Sequence, residues 1–271
     1  MIDHGLLMRA LRMHCQDDWA LLYVERWLTA PVQLPDGTLE PRTRGTPQGG
    51  VASPLLSNLF LHYAFDKWMR REYPDIPFER YADDAICHCR TRREAERLKA
   101  ELEERLAACH LTLHPEKTRV VYCKDSNRRG SYPHIQFTFL GFAFRPRMAK
   151  NRWGRLFTCF LPAVSPQALK RMRERIRSWR LPKHAPLSLV DIARSLNPVL
   201  KGWWQYYGRF YPTEMGKLFV YFDERLGAWL RQKHKQYKGH RGRSLRRLNT
   251  IAKRSPDLFV HWKRLGHAMV G

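Results

Sequence analysis

Apolar positions along the chain switch between two spacings, and the switches mark out its elements. Between residues 5 and 28 they recur at helical spacing. Leu6, Leu7, Ala10 and Leu11 make one stripe, Asp17 or Asp18 supplies a cap, and Leu21, Leu22, Val24, Trp27 and Leu28 continue it. Met1 to His4 run abruptly into that helix, with no leader strand or cap cluster ahead of it. Val32 to Leu39, with Pro35-Asp36-Gly37 between, predicts a hairpin. Ser53-Pro54 reads as an N-cap and first-turn proline for a helix carrying Leu55, Leu56, Leu59, Phe60, Tyr63 and Trp68.

Near residue 80 the period falls to two. Phe78-Glu79-Arg80 and Ala85-Ile86-Cys87-His88-Cys89 flank Tyr81-Ala82-Asp83-Asp84. Asp is depleted inside strands and favoured at tight turns, so this stretch predicts a β-hairpin that lifts two carboxylates to its tip. Thr91 to Glu94 forms a capping box before Ala95, Leu98, Leu102 and Leu106. A strand is expected at Arg119 to Cys123, and a strand pair or bent strand over Phe137 to Phe144 with Leu140-Gly141 at its centre. The first part is therefore α+β, an antiparallel sheet with packed helices.

From about residue 145 the texture changes. Arg145, Arg147, Lys150, Arg152 and Arg155 precede Ser165-Pro166, a second N-cap and proline pair, and a helix with Leu169, Met172, Ile176 and Trp179 inward. Leu181 to Pro186 reads as a linker, and Ser188 to Asp191 opens a helix that is expected to end near Asn197-Pro198. Trp203, Trp204, Tyr206, Tyr207, Phe210 and Tyr211 read mostly as core. Helices are expected through Met215 to Lys238 and again after Ser244, which makes the last part all-α. The expected division is 1–148, then 149–186 as a basic connector and first helix, then 187–271.

Composition changes the picture in one direction. Of 271 residues 44% are hydrophobic, enough for a real core. Lys plus Arg number 49 against 25 acids, a formal +24, which fits a polyanionic partner. No apolar run of eighteen appears and mean hydropathy is −0.55, which argues against a membrane. No signal peptide is visible in residues 1–14, so the expectation is nucleic acid in the cytoplasm. The six cysteines include no C-x-x-C pair and read as small hydrophobes in a reducing compartment. Residues 231–271 hold twelve Lys or Arg and a single acid, Asp257, a net +11. Arg231, Lys233, Lys235, Lys238, Arg241, Arg243, Arg246 and Arg247 stand out there as phosphate-binding candidates.

Two stretches carry candidate chemistry. Arg44 to Pro54 has three glycines and two prolines and feeds a helix N-terminus, a place where phosphate can sit; Gln48 in it could hydrogen-bond a base or sugar. The Asp83-Asp84 pair suits an oxygen-seeking cation such as Mg²⁺. Each alone also has an ordinary reading, as a connector and as a solvated turn.

Taken in order, these stretches resemble the reverse transcriptases encoded by bacterial group II introns. RGTPQGGVASPLLSN at 44–58 resembles their template- and nucleotide-contacting motif, and YADD at 81–84 their metal-binding palm hairpin. HLTLHPEKT at 110–118 is similar to the segment that follows, FLGFAF at 139–144 to the primer grip, and LNPVLKGWWQYYGRF at 196–210 to the maturase-specific thumb region, domain X. The resemblance implies a partial polymerase palm followed by an all-α thumb, and two Mg²⁺ ions. It implies Asp83 as main metal ligand and Asp84 as the weaker one. Pro47, Gln48, Gly49 and Gly50 would line the incoming nucleotide, Lys117 would lie near its phosphates, and Leu140 and Gly141 would support the primer end. The implied partners are intron RNA, an RNA template with DNA primer, and deoxynucleoside triphosphates.

Family members begin well upstream, with fingers motifs and a palm strand ending in a third aspartate. That stretch has no counterpart here, and Asp3 does not match it. The expectation is thus the C-terminal portion of such an enzyme, with polymerase activity by this chain alone doubtful. The alternatives are a non-catalytic RNA-binding splicing factor acting through domain X, or a decayed fragment.

Overall fold

The computed structural model describes residues 1–128 and 130–265; the end of the expected basic tail lies outside the described residues. The chain divides into two compact units, Met1–Val120 and Val121–Gly271.

In the first unit, α1 (His4–Arg12) is capped by Asp3, whose carboxylate accepts from the Leu6 N–H at 2.8 Å. Helix α2 (Asp18–Thr29) follows, then the short hairpin of β1 (Val32–Gln33) and β2 (Leu39–Glu40). The expected long helix after the glycine loop is broken. It is α3 (Ser53–Leu61), a π-helical turn at His62–Asp66, and α4 (Lys67–Glu72). Next come β3 (Phe78–Tyr81), β4 (Asp84–Cys87) and α5 (Arg92–Ala108), the last capped by Thr91. One apolar cluster joins α1, α2, α3 and the end of α5 through Leu7, Leu28, Leu56, Phe60 and Leu106. A second, of Phe65, Met69, Ile76 and Leu98, receives Phe78 and Cys87 from the β3–β4 hairpin.

In the second unit, β5 (Phe137–Phe139), β6 (Phe142–Lys150) and β7 (Leu156–Val164) form one antiparallel sheet in that order. Two corrections arise here. Residues 119–123 are in no strand; the β-branched and aromatic run Val120-Val121-Tyr122 is present, but a strand also needs a neighbour to pair with, and the Tyr122 N–H bonds instead to the His134 carbonyl at 2.8 Å. The stretch from 145 to 164, read as a basic run before a helix, is the long β6–β7 hairpin, and β6 spans position 148/149.

From Pro166 the described chain is helical: α6 (Pro166–Ser178), α7 (Leu189–Tyr207), α8 (Pro212–Lys233), α9 (Arg241–Arg254) and α10 (Val260–Leu265). Helix α7 does not stop at Pro198 but runs through it. Burial of Ile192, Leu196 and Leu200 around the proline offsets the missing hydrogen bond. The Asn197 amide also clamps the start of α10, donating to the Leu258 carbonyl at 2.9 Å and accepting from the Val260 N–H at 3.2 Å. Helix α8 is the axis of the core, with Met215, Leu218, Phe219, Phe222 and Leu226 fully buried. The α+β class holds, with a helical region after the small sheets. Among the described residues no helix is long and apolar enough to cross a membrane.

Candidate functional site

The β3–β4 hairpin closes with Tyr81 opposite Asp84, which leaves Ala82 and Asp83 as its two-residue turn. Directly opposed residues share a face, so Phe78, Arg80, Ala85 and Cys87 point one way and Glu79, Tyr81, Asp84 and Ile86 the other. The first face is inward. Phe78 meets Phe65 edge to face at 5.2 Å, and burial pushes the Cys87 thiol up to about 12, helped by Cys89 and Glu79. That half-buried thiol packs as a small hydrophobe against the second apolar cluster.

Arg80, nearer the tip on the same face, braces the turn. Its guanidinium grips Asp66 with two bonds, Nε to Oδ1 at 2.7 Å and Nη2 to Oδ2 at 2.6 Å. Nη1 donates to Asn58 Oδ1 at 2.9 Å and to the Ala82 carbonyl at 2.8 Å. Burial opposes the charge on Asp66, but Arg80, with His62 assisting, more than offsets it, and its pKa lies below the ordinary 3.8. Ala82 has φ +53°, a left-handed conformation that costs a non-glycine residue about 1–2 kcal/mol. The bond from Arg80 to its carbonyl holds it there.

Sequence reasoning missed Arg80, Asp66 and Asn58. A signal for Arg80 existed, because it shares the inward period-two face with Phe78. Asp66 had none: its aim depends on the π-helical turn, whose extra residue rotates the side chains that follow.

Asp83 and Asp84 are both exposed, one in the turn and one on the first residue of β4, on the face away from Arg80. Mg²⁺ commonly binds through one or two carboxylates plus waters and substrate phosphates, and this pair fits that pattern for one ion. Among the described residues there is no group of three or more His, Cys, Asp or Glu side chains placed to hold a metal. Asp3 is committed elsewhere, to the α1 cap and to His110 Nδ1 at 3.0 Å.

The glycine loop belongs to the same unit and is tied down at both ends. Gly45 N–H donates to the Ile2 carbonyl at 2.6 Å, and His4 Nε2 lies 2.7 Å from the Gly45 carbonyl oxygen. Ser53 is not the cap but the first helical residue; its hydroxyl donates to the Pro47 carbonyl at 2.5 Å. A Cβ on Gly50 would sit 2.8 Å from that hydroxyl oxygen, and Gly49 has φ +81°. Gln48 and Gly49 are exposed and Pro47 half-buried. Helix α3 begins at the end of this loop and also carries Asn58, so a single helix connects the loop to the hairpin brace. Lys117 is exposed, in the turn that follows Pro115.

Leu140 and Gly141 lie in the second unit, as the β5–β6 turn with φ +49° and +79°. Tyr206 Oη donates to the Leu140 carbonyl at 2.9 Å, and Tyr207 Oη fills the space where a Gly141 Cβ would lie, 2.7 Å away. The glycine thus makes room for a tyrosine side chain.

The eight basic candidates divide in two. Arg231 donates to Ser244 Oγ at 2.8 Å, and Arg241 pairs with Glu224, Nε to Oε2 at 3.0 Å. Lys233 Nζ is held by the carbonyls of Ala185 at 2.9 Å and Leu187 at 2.8 Å. Arg231 and Lys233 are thus tied to neighbouring elements, whereas Arg241, its side chain 71% exposed, makes a surface pair. Lys235, Lys238, Arg243, Arg246 and Arg247 are exposed, and none pairs with an acid among the described residues. Helix α9 buries Ser244, Leu248 and Ala252 and carries no acid, so every charged residue on it is a cation.

Residues 2–144 match the family described as reverse transcriptase (RNA-dependent DNA polymerase), and residues 169–248 match the group II intron, maturase-specific domain. Protein YkfC of Escherichia coli (strain K12) is 25% identical over 189 residues, covering 57% of this chain and 46% of that protein. The chain thus spans less than half the length of the curated relative it matches.

Proposed function

This chain belongs to the reverse transcriptase (RNA-dependent DNA polymerase) family and carries a group II intron maturase-specific domain, and on that premise we propose that it serves RNA-templated DNA synthesis and the handling of group II intron RNA. One observation carries the reading: a hairpin that presents Asp83 and Asp84 to solvent while Arg80 locks its turn from behind. A plain solvated turn has no need of a half-buried fork to hold it. Asp83 would be the main Mg²⁺ ligand and Asp84 the weaker one. The ion, when bound, supplies positive charge at phosphate oxygens.

The remaining roles fall to groups that position substrates. Pro47, Gln48, Gly49 and Gly50 would line the nucleotide, and Lys117 would offset charge on its phosphates. Leu140 and Gly141 would support the primer end. Residues 1–148 would form the palm part, 149–186 the connector and first thumb helix, and 187–271 domain X. Within domain X, Lys235, Lys238, Arg243, Arg246 and Arg247 would grip RNA phosphates, while Arg231 and Lys233 tie neighbouring elements together.

A second reading has its own observation. With no third metal-ligating side chain grouped with the pair among the described residues, the chain would bind intron RNA without catalysing synthesis. Primer extension on an RNA template separates the two. The expected result is Mg²⁺-dependent extension abolished by Asp83→Ala; extension that survives that change sinks the site. Absent extension, together with RNA binding that weakens steeply with salt and is flattened by Arg246→Glu/Arg247→Glu, supports the second reading.

A further inference from the structure

The β6–β7 hairpin ends in Asn151-Arg152-Trp153-Gly154-Arg155, between the two family-matched regions. The turn is complete without its tryptophan. Asn151 Oδ1 accepts from the N–H groups of Trp153 at 3.0 Å and Arg155 at 2.9 Å. The Gly154 N–H bonds to the Asn151 carbonyl at 3.0 Å, and Gly154 takes the left-handed position, φ +83°. Position 153 asks only for ordinary backbone angles, yet it holds the largest apolar side chain, 73% exposed.

The arm that carries it is stiff. Strands of nine residues run from buried Phe142 and Val164 to exposed Lys150 and Leu156, roughly 25 Å at the usual rise. Tyr211 Oη donates to the Met148 carbonyl at 3.1 Å, and Ser126 pairs with the backbone of Thr158, so only the last rungs and the turn overhang.

The surroundings of the ring identify what it would meet. The Arg152 guanidinium lies over one side of Trp153, 4.0 Å from the ring centroid, which leaves the other side open. From Arg145 to Val164 there is no acid. Arg145 and Arg147 are answered by Glu214 on α8, at 3.9 and 3.3 Å. Lys150, Arg152 and Arg155 at the tip have no acidic partner among the described residues. A protein surface seated here would have to cover three unanswered cations, whereas an RNA strand brings its own phosphates and a flat base for the ring.

We propose that this fingertip is an RNA-binding site, in which Trp153 stacks on an unpaired base while Lys150, Arg152 and Arg155 contact the flanking phosphates. This rests on the RNA-binding reading of the chain but adds a second contact point outside α9. The test measures fluorescence anisotropy of the full chain with two labelled RNAs, a stem-loop with an unpaired loop and a blunt duplex of equal length. Trp153→Ala should weaken the stem-loop roughly tenfold and leave the duplex unchanged. Trp153→Phe should keep most of the affinity, and the salt slope should not move because no charge is lost. Unchanged stem-loop affinity overturns the proposal, as does equal loss on both RNAs, or a loss of self-association with RNA binding intact. Arg246→Glu/Arg247→Glu should weaken both RNAs. If it does while Trp153→Ala changes nothing, only the fingertip site fails; a wild type that binds neither RNA overturns both readings.

Discussion

Removing Arg80 tests whether the hairpin is held in place or merely folds there. The side chain makes four hydrogen bonds, two to Asp66 at 2.7 and 2.6 Å, one to Asn58 at 2.9 Å and one to the Ala82 carbonyl at 2.8 Å. Arg80→Ala leaves the Asp66 carboxylate, whose side chain is 13% exposed, with only His62 Nδ1 at 3.4 Å. Stranding a half-buried charge of this kind costs about 2–3 kcal/mol. Losing the bond to the Ala82 carbonyl adds about 1 kcal/mol, for an expected total near 3–4 kcal/mol. Part of that is a penalty for the abandoned carboxylate, so Asp66→Ala in the same chain should recover about 2 kcal/mol. Ala82→Gly, which relieves the left-handed turn, should recover about 1 kcal/mol more.

Urea denaturation of the four members of the Arg80/Asp66 cycle gives the coupling, and hydrogen exchange of residues 78–87 shows whether the loss is local. A cycle additive to within about 0.5 kcal/mol would refute the brace. So would hairpin amides as protected in Arg80→Ala as in wild type. Arg80→Lys sharpens the point, since it keeps the charge but cannot reproduce the fork. It should fall much closer to Arg80→Ala than to wild type.

Three further outcomes follow from the same geometry. The folded-state pKa of Asp66 is depressed, so its contribution is complete well above the ordinary 3.8 and is lost as pH falls through and below that value; the stability gap between wild type and Asp66→Asn should be flat from about pH 5 to 7 and close in more acidic urea titrations. Gly141→Ala places a Cβ 2.7 Å from Tyr207 Oη at φ +79°, and should cost about 2–3 kcal/mol by thermal denaturation, of which Tyr207→Phe restores the steric part but not the backbone part. Pro198→Ala restores an N–H inside α7 and should raise stability by about 1–3 kcal/mol; a loss would mean that the proline shapes the helix for its neighbours.

By itself the sequence determined what short-range energetics decide. Asp83 at a hairpin tip, Thr91, Ser165 and Ser188 as caps, and the inward stripe of α6 all follow from groups a few residues apart; the Asp3 cap of α1 is equally local, though sequence reasoning missed it. The uneven charge that points to a polyanion is equally local, because it needs only counting. Only the tertiary structure decided the rest. Asp66, the last residue of the π turn, meets Arg80 fourteen positions on because the β3–β4 hairpin folds back beside it. Helix α7 survives Pro198 because its neighbours bury both flanks. Lys233 is a bolt and Arg246 has no acidic partner among the described residues, though the two look alike in the chain, because the carbonyls of residues 185 to 187 come to one and not the other. Trp153 ends at the tip of a stiff arm because residues 142–150 found 156–164 as a partner. In each case the deciding atoms lie far away along the chain, and no periodicity or propensity encodes where a distant partner will be.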